Sequence, residues 1–254
     1  MRLPTITGTI KRRLLVNFRV APAVIQRLLP APFQPKLHKG HAIAGICLIR
    51  LEGIRPAGLG LPAWLGISSE NAAHRIAVEW TDEEGMAREG VFIPRRDTGA
   101  LLNHLAGGRI FPGEHHHAKF TVTDDGVSFD LAMESRDRMV SVHVKGRAAK
   151  ELPASSCFGS LKVASAFFEG GSLGYSVTRD KRRLDGLSLE TNSWQVTPLA
   201  IEAAESSYFT DQSLFPAGSV VFDHALVMRD IAHEWHTAAD MHPLALGACG
   251  PACA

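Results

Sequence analysis

Three consecutive imidazoles, His115, His116 and His117, follow a turn built on Pro112 and Gly113 in the stretch RIFPGEHHHAKF, residues 109–120. Neutral imidazole near pH 7 can ligate a metal, accept a proton or simply hydrogen-bond, and the sequence leaves all three roles open. Beyond the turn the residues alternate as a strand does, and successive strand side chains point to opposite faces. His115 and His117 then share a polar face with Lys119 and Thr121, in solvent or at a cavity mouth. His116 joins Ala118, Phe120 and Val122 on the apolar face. His116 is thereby a candidate general acid or base, and Glu114, just ahead of the strand, is the second catalytic candidate.

Two further histidines repeat the pattern. His74 falls with Ile76, Val78 and Trp80 in a strand over 73–80, and His224 falls with Val220, Phe222, Leu226 and Met228 in a strand over 219–229. If those apolar faces line one pocket, His74, His116 and His224 converge, and three imidazoles suffice for a catalytic metal with an open position. Read singly, each is a core histidine hydrogen-bonded to its surroundings. A divalent metal is therefore an admissible cofactor, and none is obligatory. Arg95 and Arg96 end a strand over 89–94, where a fork of donors could hold a substrate carboxylate; solvated loop charges are the plain alternative, for them and for Glu70. His74, His224, His115, His117, Arg95 and Arg96 form the candidate ligand-binding set. Tyr175, Trp194 and Phe111 could wall a pocket or build a core.

The elements that must position these residues are mostly strands. Segments 41–51, 73–80, 89–94, 115–123, 127–133, 139–148 and 219–229 carry β-branched or aromatic residues, several in period-two alternation. Asp124-Asp125-Gly126 predicts a tight turn that pairs 115–123 with 127–133 antiparallel, since Asp-Gly tolerates positive φ. Helices are expected over 21–29, opened by Pro22; over 98–106, capped by Asp97; over 157–169; and from Thr197-Pro198 to Tyr208. No internal repeat, low-complexity tract or linker divides the chain, so a single domain over 1–254 is expected, with its core at about 12–237 and a flexible tail over 238–254.

Bulk properties exclude several function classes. A chain of 254 residues that is 45% hydrophobic and 21% charged can bury a sizeable core. With 27 basic and 26 acidic residues, and basic clusters only at Lys11-Arg12-Arg13 and Lys181-Arg182-Arg183, no basic stripe of the nucleic-acid type exists. The apolar run after Lys11-Arg12-Arg13 is broken by Asn17 and Arg19, unlike a secretory signal, and no eighteen uncharged apolar residues run together. A cytoplasmic protein is expected, with a small-molecule ligand, no membrane or nucleic-acid partner, and room for a homo-oligomer. Cys47 and Cys157 sit in apolar surroundings as small hydrophobes. Cys249 and Cys253 lie in a small-residue tail whose spacing also admits a disulfide or two soft metal ligands, completed by His233, His236 or His242.

Three blocks carry a resemblance: LLVNFRVAPAVIQRLLPAPFQPKLHKGHAIAGICLIRLEGIRP, GGRIFPGEHHHAKF, and GYSVTRDKRRLDGLSLETNSWQVTPLAIEAAESSYF. Over roughly residues 12–237 the chain resembles the bacterial DUF2071 (YqjF-like) family of the acetoacetate decarboxylase-like superfamily. The resemblance implies an α+β, β-rich fold in which curved antiparallel sheets form a barrel-like or cone-like body around an internal pocket, with peripheral helices. It also implies a departure. True acetoacetate decarboxylases place adjacent lysines directly after a Phe-Pro, one lowering the other's pKa for Schiff-base formation. Here Gly113 and Glu114 follow Phe111-Pro112, and neither can form an imine. Lys119 is the nearest amine. Two functions from different classes follow. One is a protein that binds a small organic acid or carbonyl compound in an internal pocket, without the lysine pair. The other is an enzyme, of lyase or hydrolase type, that uses histidine acid/base or metal chemistry on such a compound.

Overall fold

A computed structural model describes residues 5–100, 113–180 and 182–242. The first strand, β1 (Ile6–Val20), carries a nearly unbroken buried run over 14–18, and so does β4 (His41–Pro56) over 42–48. Strands buried on both faces read this way, without clean alternation. The cause is the closure of the sheet. In chain order the remaining strands are β2 (Gln34–Pro35), β3 (Leu37–His38), β5 (Ile67–Thr81), β6 (Ala87–Thr98), β7 (His115–Asp124), β8 (Ser128–Ser135), β9 (Ser141–Ala148), β10 (Leu173–Val177), β11 (Leu184–Thr191), β12 (Thr197–Ser206) and β13 (Val220–Thr237).

Their pairing closes the sheet in a ring, following β5-β6-β7-β8-β9-β12-β13-β1-β4 and back to β5. A second, smaller circuit leaves β6 through β10 and β11 and rejoins at β13. The two circuits share the wall β13-β1-β4-β5-β6, so each face of that wall looks into a different interior. On one face Leu14, Val16, Phe18, Ala44, Ile46 and Ile76 build the main core. On the other, Leu15, Ile43, Cys47 and Leu226 pack under Phe158 and the helix α2 (Leu161–Glu169), which contributes Ala164 and Phe168. Most ladders are antiparallel, but β6 pairs parallel with both β7 and β10. The expected curved, largely antiparallel body is present, with these two parallel pairings making the sheet mixed.

Local chemistry accounts for several elements. The hairpin between β7 and β8 turns on Gly126 at φ 92°, and the Asp125 carboxylate accepts from the backbone N–H of Val127 and Ser128. Pro22 opens α1 (Pro22–Leu28), and Ser160 caps α2 by accepting from the Val163 N–H. One expected helix is a strand: residues 197–206 form β12, paired with β9 on one side and β13 on the other, and only α3 (Ser207–Thr210) is helical there. The ladder to β9 along Leu199–Ser206, with β13 joining only at Thr197–Leu199, outweighs the helix propensity of its Ala and Glu residues, which is worth only fractions of a kcal/mol each. Asp97, the expected cap of the helix over 98–106, lies within β6, its carboxylate taken by Arg95. Most of the helix expected over 98–106 lies outside the described residues, as do Phe111, Cys249 and Cys253.

Candidate functional site

The interior of the smaller circuit holds a cavity of about 120 Å³. Its polar wall is built from neighbouring strands: Arg13 on β1, Cys47 on β4, Arg75 on β5, Arg96 on β6 and His115 at the start of β7. Val91, Ile93, Leu187, Leu189 and Trp235 supply the apolar side. One irregularity decides which of two adjacent arginines faces inward. Opposite Arg75, β6 carries both Ile93 and Pro94, because Ile76 pairs with Phe92 while His74 pairs with Arg95. Proline cannot donate to a ladder and is accommodated at such a bulge. The extra residue shifts the alternation, turning Arg95 to the main core and Arg96 to the cavity.

The three cavity guanidinia make no ion pair among the described residues, although the fold contains many elsewhere. Burial lowers Arg75 and Arg96 to about 10, still cationic at neutral pH. Arg75 is 5% exposed. Its Nη2 donates to Asn17 Oδ1, its guanidinium lies 4.9 Å from the Phe168 ring, and its Nε is buried without a partner. Arg96 Nε donates to Ser176 Oγ at 2.9 Å, and Arg13 Nε donates to Cys47 Sγ at 3.4 Å. Asp185 favours the Arg96 cation from beyond ion-pair distance, and Asp97, also in the wall, is held by Arg95; a buried charge without a close partner is costly. A ligand carboxylate accepting from these forks would relieve that cost.

Behind Arg75 lies a buried relay. The side chains of Asp223, His224 and Asn17 are fully buried. His224 Nδ1 donates to Asp223 Oδ2 at 2.6 Å, and its Nε2 accepts from Asn17 Nδ2 at 3.1 Å. Asn17 cannot be turned over, because its Nδ2 also donates to the Leu15 carbonyl and its Oδ1 receives Arg75. That fixes the His224 tautomer as Nδ1–H. Burial alone would raise the Asp223 carboxyl, but hydrogen bonds from His224, the Cys157 N–H and Ser156 Oγ hold it well below the usual carboxylate range.

The expected metal triad does not assemble. His224 packs against Phe158 and Phe168 under α2, at ring distances of 5.0 and 5.6 Å. His74 lies on the opposite face of the shared wall, between Ser206 Oγ at 3.0 Å and the ring of Tyr208 at 4.6 Å. The reason is a second bulge: Asn17 pairs with His224 but Phe18 pairs with Phe222, so the alternation along β13 breaks at Asp223. His116 stands apart again, with Nδ1 3.2 Å from Asp137, itself bound by Arg95. Among the described residues no three His, Cys, Asp or Glu side chains are placed to hold a metal ion.

Of the other expected residues, Arg96 and His115 line the cavity, and Arg95, His116, His117 and Glu114 do not. Glu114 faces Arg179 at 3.7 Å. His115, expected on a polar face in solvent or at a cavity mouth, is buried, with Nδ1 3.2 Å from the Gly113 carbonyl. It pairs with Arg96 across the short parallel ladder, which sets its side chain in the cavity wall. Tyr175 packs in the main core against Phe33 and Trp80, while Trp194 lies in a wider hollow of about 350 Å³ that shares Arg13 with the cavity. Sequence reasoning missed Arg13, Arg75 and Cys47. Arg75 did carry a signal: it is a charged residue inside the otherwise apolar strand run AHRIAV.

Gly113 occupies the position where the resemblance calls for a lysine. Its φ is 87°, its N–H donates to Asp185 Oδ2 at 2.8 Å, and a Cβ there would lie 2.5 Å from Ser176 Cβ. The backbone at this point excludes any side chain.

Comparisons agree on the fold. The family model DUF2071, described as an uncharacterized conserved protein, matches residues 7–227. No curated protein matches the sequence. The chain is similar in structure to acetoacetate decarboxylase from Legionella pneumophila subsp. pneumophila str. Philadelphia 1, with TM-score 0.58 and 13% identity over 94% of this chain and 88% of that one. An acetoacetate decarboxylase-like enzyme from Sphingomonas wittichii RW1 gives 0.56 and 14% over 95% and 94%. The enduracididine biosynthesis enzyme MppR, in complex with pyruvate, gives 0.54 and 15% over 95% and 91%. Among the described residues no helix is long and apolar enough to cross a membrane.

Proposed function

The chain belongs to the DUF2071 family, and from that premise we propose that it binds a small organic acid carrying a carbonyl group, with the carboxylate held by Arg75 and Arg96 inside the smaller circuit of the sheet. The observation that carries this reading is the set of three cavity guanidinia, Arg13, Arg75 and Arg96, none of which forms an ion pair among the described residues. Size supports a ligand of few atoms: an apolar cavity of about 150 Å³ holds benzene, and this one measures about 120 Å³. The similarity to MppR, which was solved with pyruvate, supports the same ligand class. Reaction through a lysine imine is not part of the proposal, because Gly113 and Glu114 supply no amine.

Titration calorimetry with pyruvate and acetoacetate, each against its methyl ester, tests the reading. The acids should bind and the esters should not. Arg96→Met should weaken binding about tenfold or more, the loss expected for one charge-assisted hydrogen bond. Esters that bind as well as the acids, or an unchanged affinity in both Arg96→Met and Arg75→Met, would overturn it.

A further inference from the structure

Four residues form one continuous row across the cavity wall. Cys47 pairs with Ala73, Ala73 with Arg96, and Arg96 with His115, on strands β4, β5, β6 and β7. Ala73 ends at Cβ, so a hollow opens between the Cys47 thiol and the Arg96 guanidinium, whose backbones stand two strand spacings, about 10 Å, apart. Arg13 and Arg75 flank the thiol diagonally, because Leu15 and Ala73 are its direct partners on the two neighbouring strands. All of these side chains except that of Leu15 line the cavity.

We propose that Cys47 is a nucleophile, and that it captures the carbonyl carbon of a 2-oxo acid whose carboxylate lies on Arg96 and Arg75, forming a reversible hemithioketal. The proposal rests on the organic-acid reading above and adds the chemistry. The thiolate is the reactive form of cysteine. Arg13 already donates to Sγ at 3.4 Å. A second observation is independent of the thiol: Arg75 lines the same cavity, is 95% buried, and its Nε has no hydrogen-bond partner. In the step itself sulfur bonds the carbonyl carbon, the π pair of the C=O bond passes to oxygen, and the thiol proton ends on that oxygen. Nothing is oxidised or reduced, no group leaves, and release reverses the same bonds. Guanidinium N–H groups stand ready to stabilise the oxygen as its charge develops.

Two probes test this on the full chain. Alkylation followed by mass spectrometry should find Cys47 carboxymethylated by iodoacetate roughly tenfold faster than it is carbamidomethylated by iodoacetamide, since only the former carries the carboxylate. Arg96→Met should abolish that preference. Carbon NMR with pyruvate labelled at its ketone carbon should show a protein-bound hemithioketal carbon, distinct from the tetrahedral carbon of the free hydrate, with the wild type and with Cys157→Ser, and none with Cys47→Ser or Cys47→Ala. If pyruvate binds the wild type and both Cys47 variants alike with no hemithioketal signal, the thiol has no covalent role while the organic-acid reading stands. If pyruvate and acetoacetate do not bind and iodoacetate shows no preference, both fail.

Discussion

Arg75 reaches Asn17 across two strand ladders, donating Nη2 to the amide Oδ1 at the centre of a fully buried polar chain that runs through His224 to Asp223. Asn17 thus links the cavity cation to the helix-covered side of the wall. Asn17→Ala removes the acceptor of Arg75 and the donor of His224 together. We expect it to cost about 2–3 kcal/mol of unfolding free energy, the scale of buried groups left unsatisfied, and to weaken pyruvate binding as Arg75 loses its anchor. Asn17→Asp should hold the fold better but place a carboxylate on Arg75 and so abolish acid binding. Denaturant unfolding and calorimetry on both variants check this; an Asn17→Asp protein that binds pyruvate like the wild type would contradict it.

Borohydride reduction in the presence of acetoacetate should leave no lysine adduct, because the position after Phe111-Pro112 is a glycine with φ 87° and no room for Cβ. Gly113→Lys should lower stability instead of creating an imine-forming site. Intact-mass spectrometry reads both outcomes, and an adduct on Lys119 would defeat the first.

Acidification should destabilise the protein through His74, which is fully buried and held down to about 3 by burial first and by the charge of Arg95 second. The unfolded chain takes up a proton near the ordinary histidine value of about 6.5, and the folded chain does not until far lower pH. The unfolded state therefore binds more protons across this window, and stability falls as pH drops from about 6.5 towards 3. Between pH 7 and pH 5 the His74 contribution is about 2 kcal/mol. Urea unfolding at the two pH values should show a smaller difference in His74→Gln than in the wild type; an equal difference would exclude His74 as a source.

His115→Gln should be more costly than His116→Gln. His115 is 7% exposed in the cavity wall, so loss of its packing should remove about 1–2 kcal/mol. The His116 side chain is 30% exposed and its Asp137 partner 35%, and solvent screens such a pair to well under about 1 kcal/mol. Thermal melts of the two single variants decide the order, and the reverse ranking would place His116, not His115, in the wall.

Seven strands, β4 to β9 and β13, were legible in the residues themselves. Alternation over 73–80 and 115–123 located β5 and β7, and Asp124-Asp125-Gly126 specified their hairpin geometry at β7 and β8, because turn chemistry and two-residue periodicity are local properties. Phe111-Pro112-Gly113-Glu114 already showed that the imine-forming amine is missing. Other features depend on pairing partners distant in sequence. β12 reads as a helix until β9 pairs along most of it and β13 takes its first residues. β1 and β4 lose their alternation because each is covered on both faces. Period-two patterning tells which side chains share a face only while the register is unbroken. A single extra residue at Ile93-Pro94 or at Asp223 reverses every assignment beyond it. For that reason the local pattern grouped His74, His116 and His224, while the closed sheet brings Arg13, Cys47, Arg75, Arg96 and His115 together.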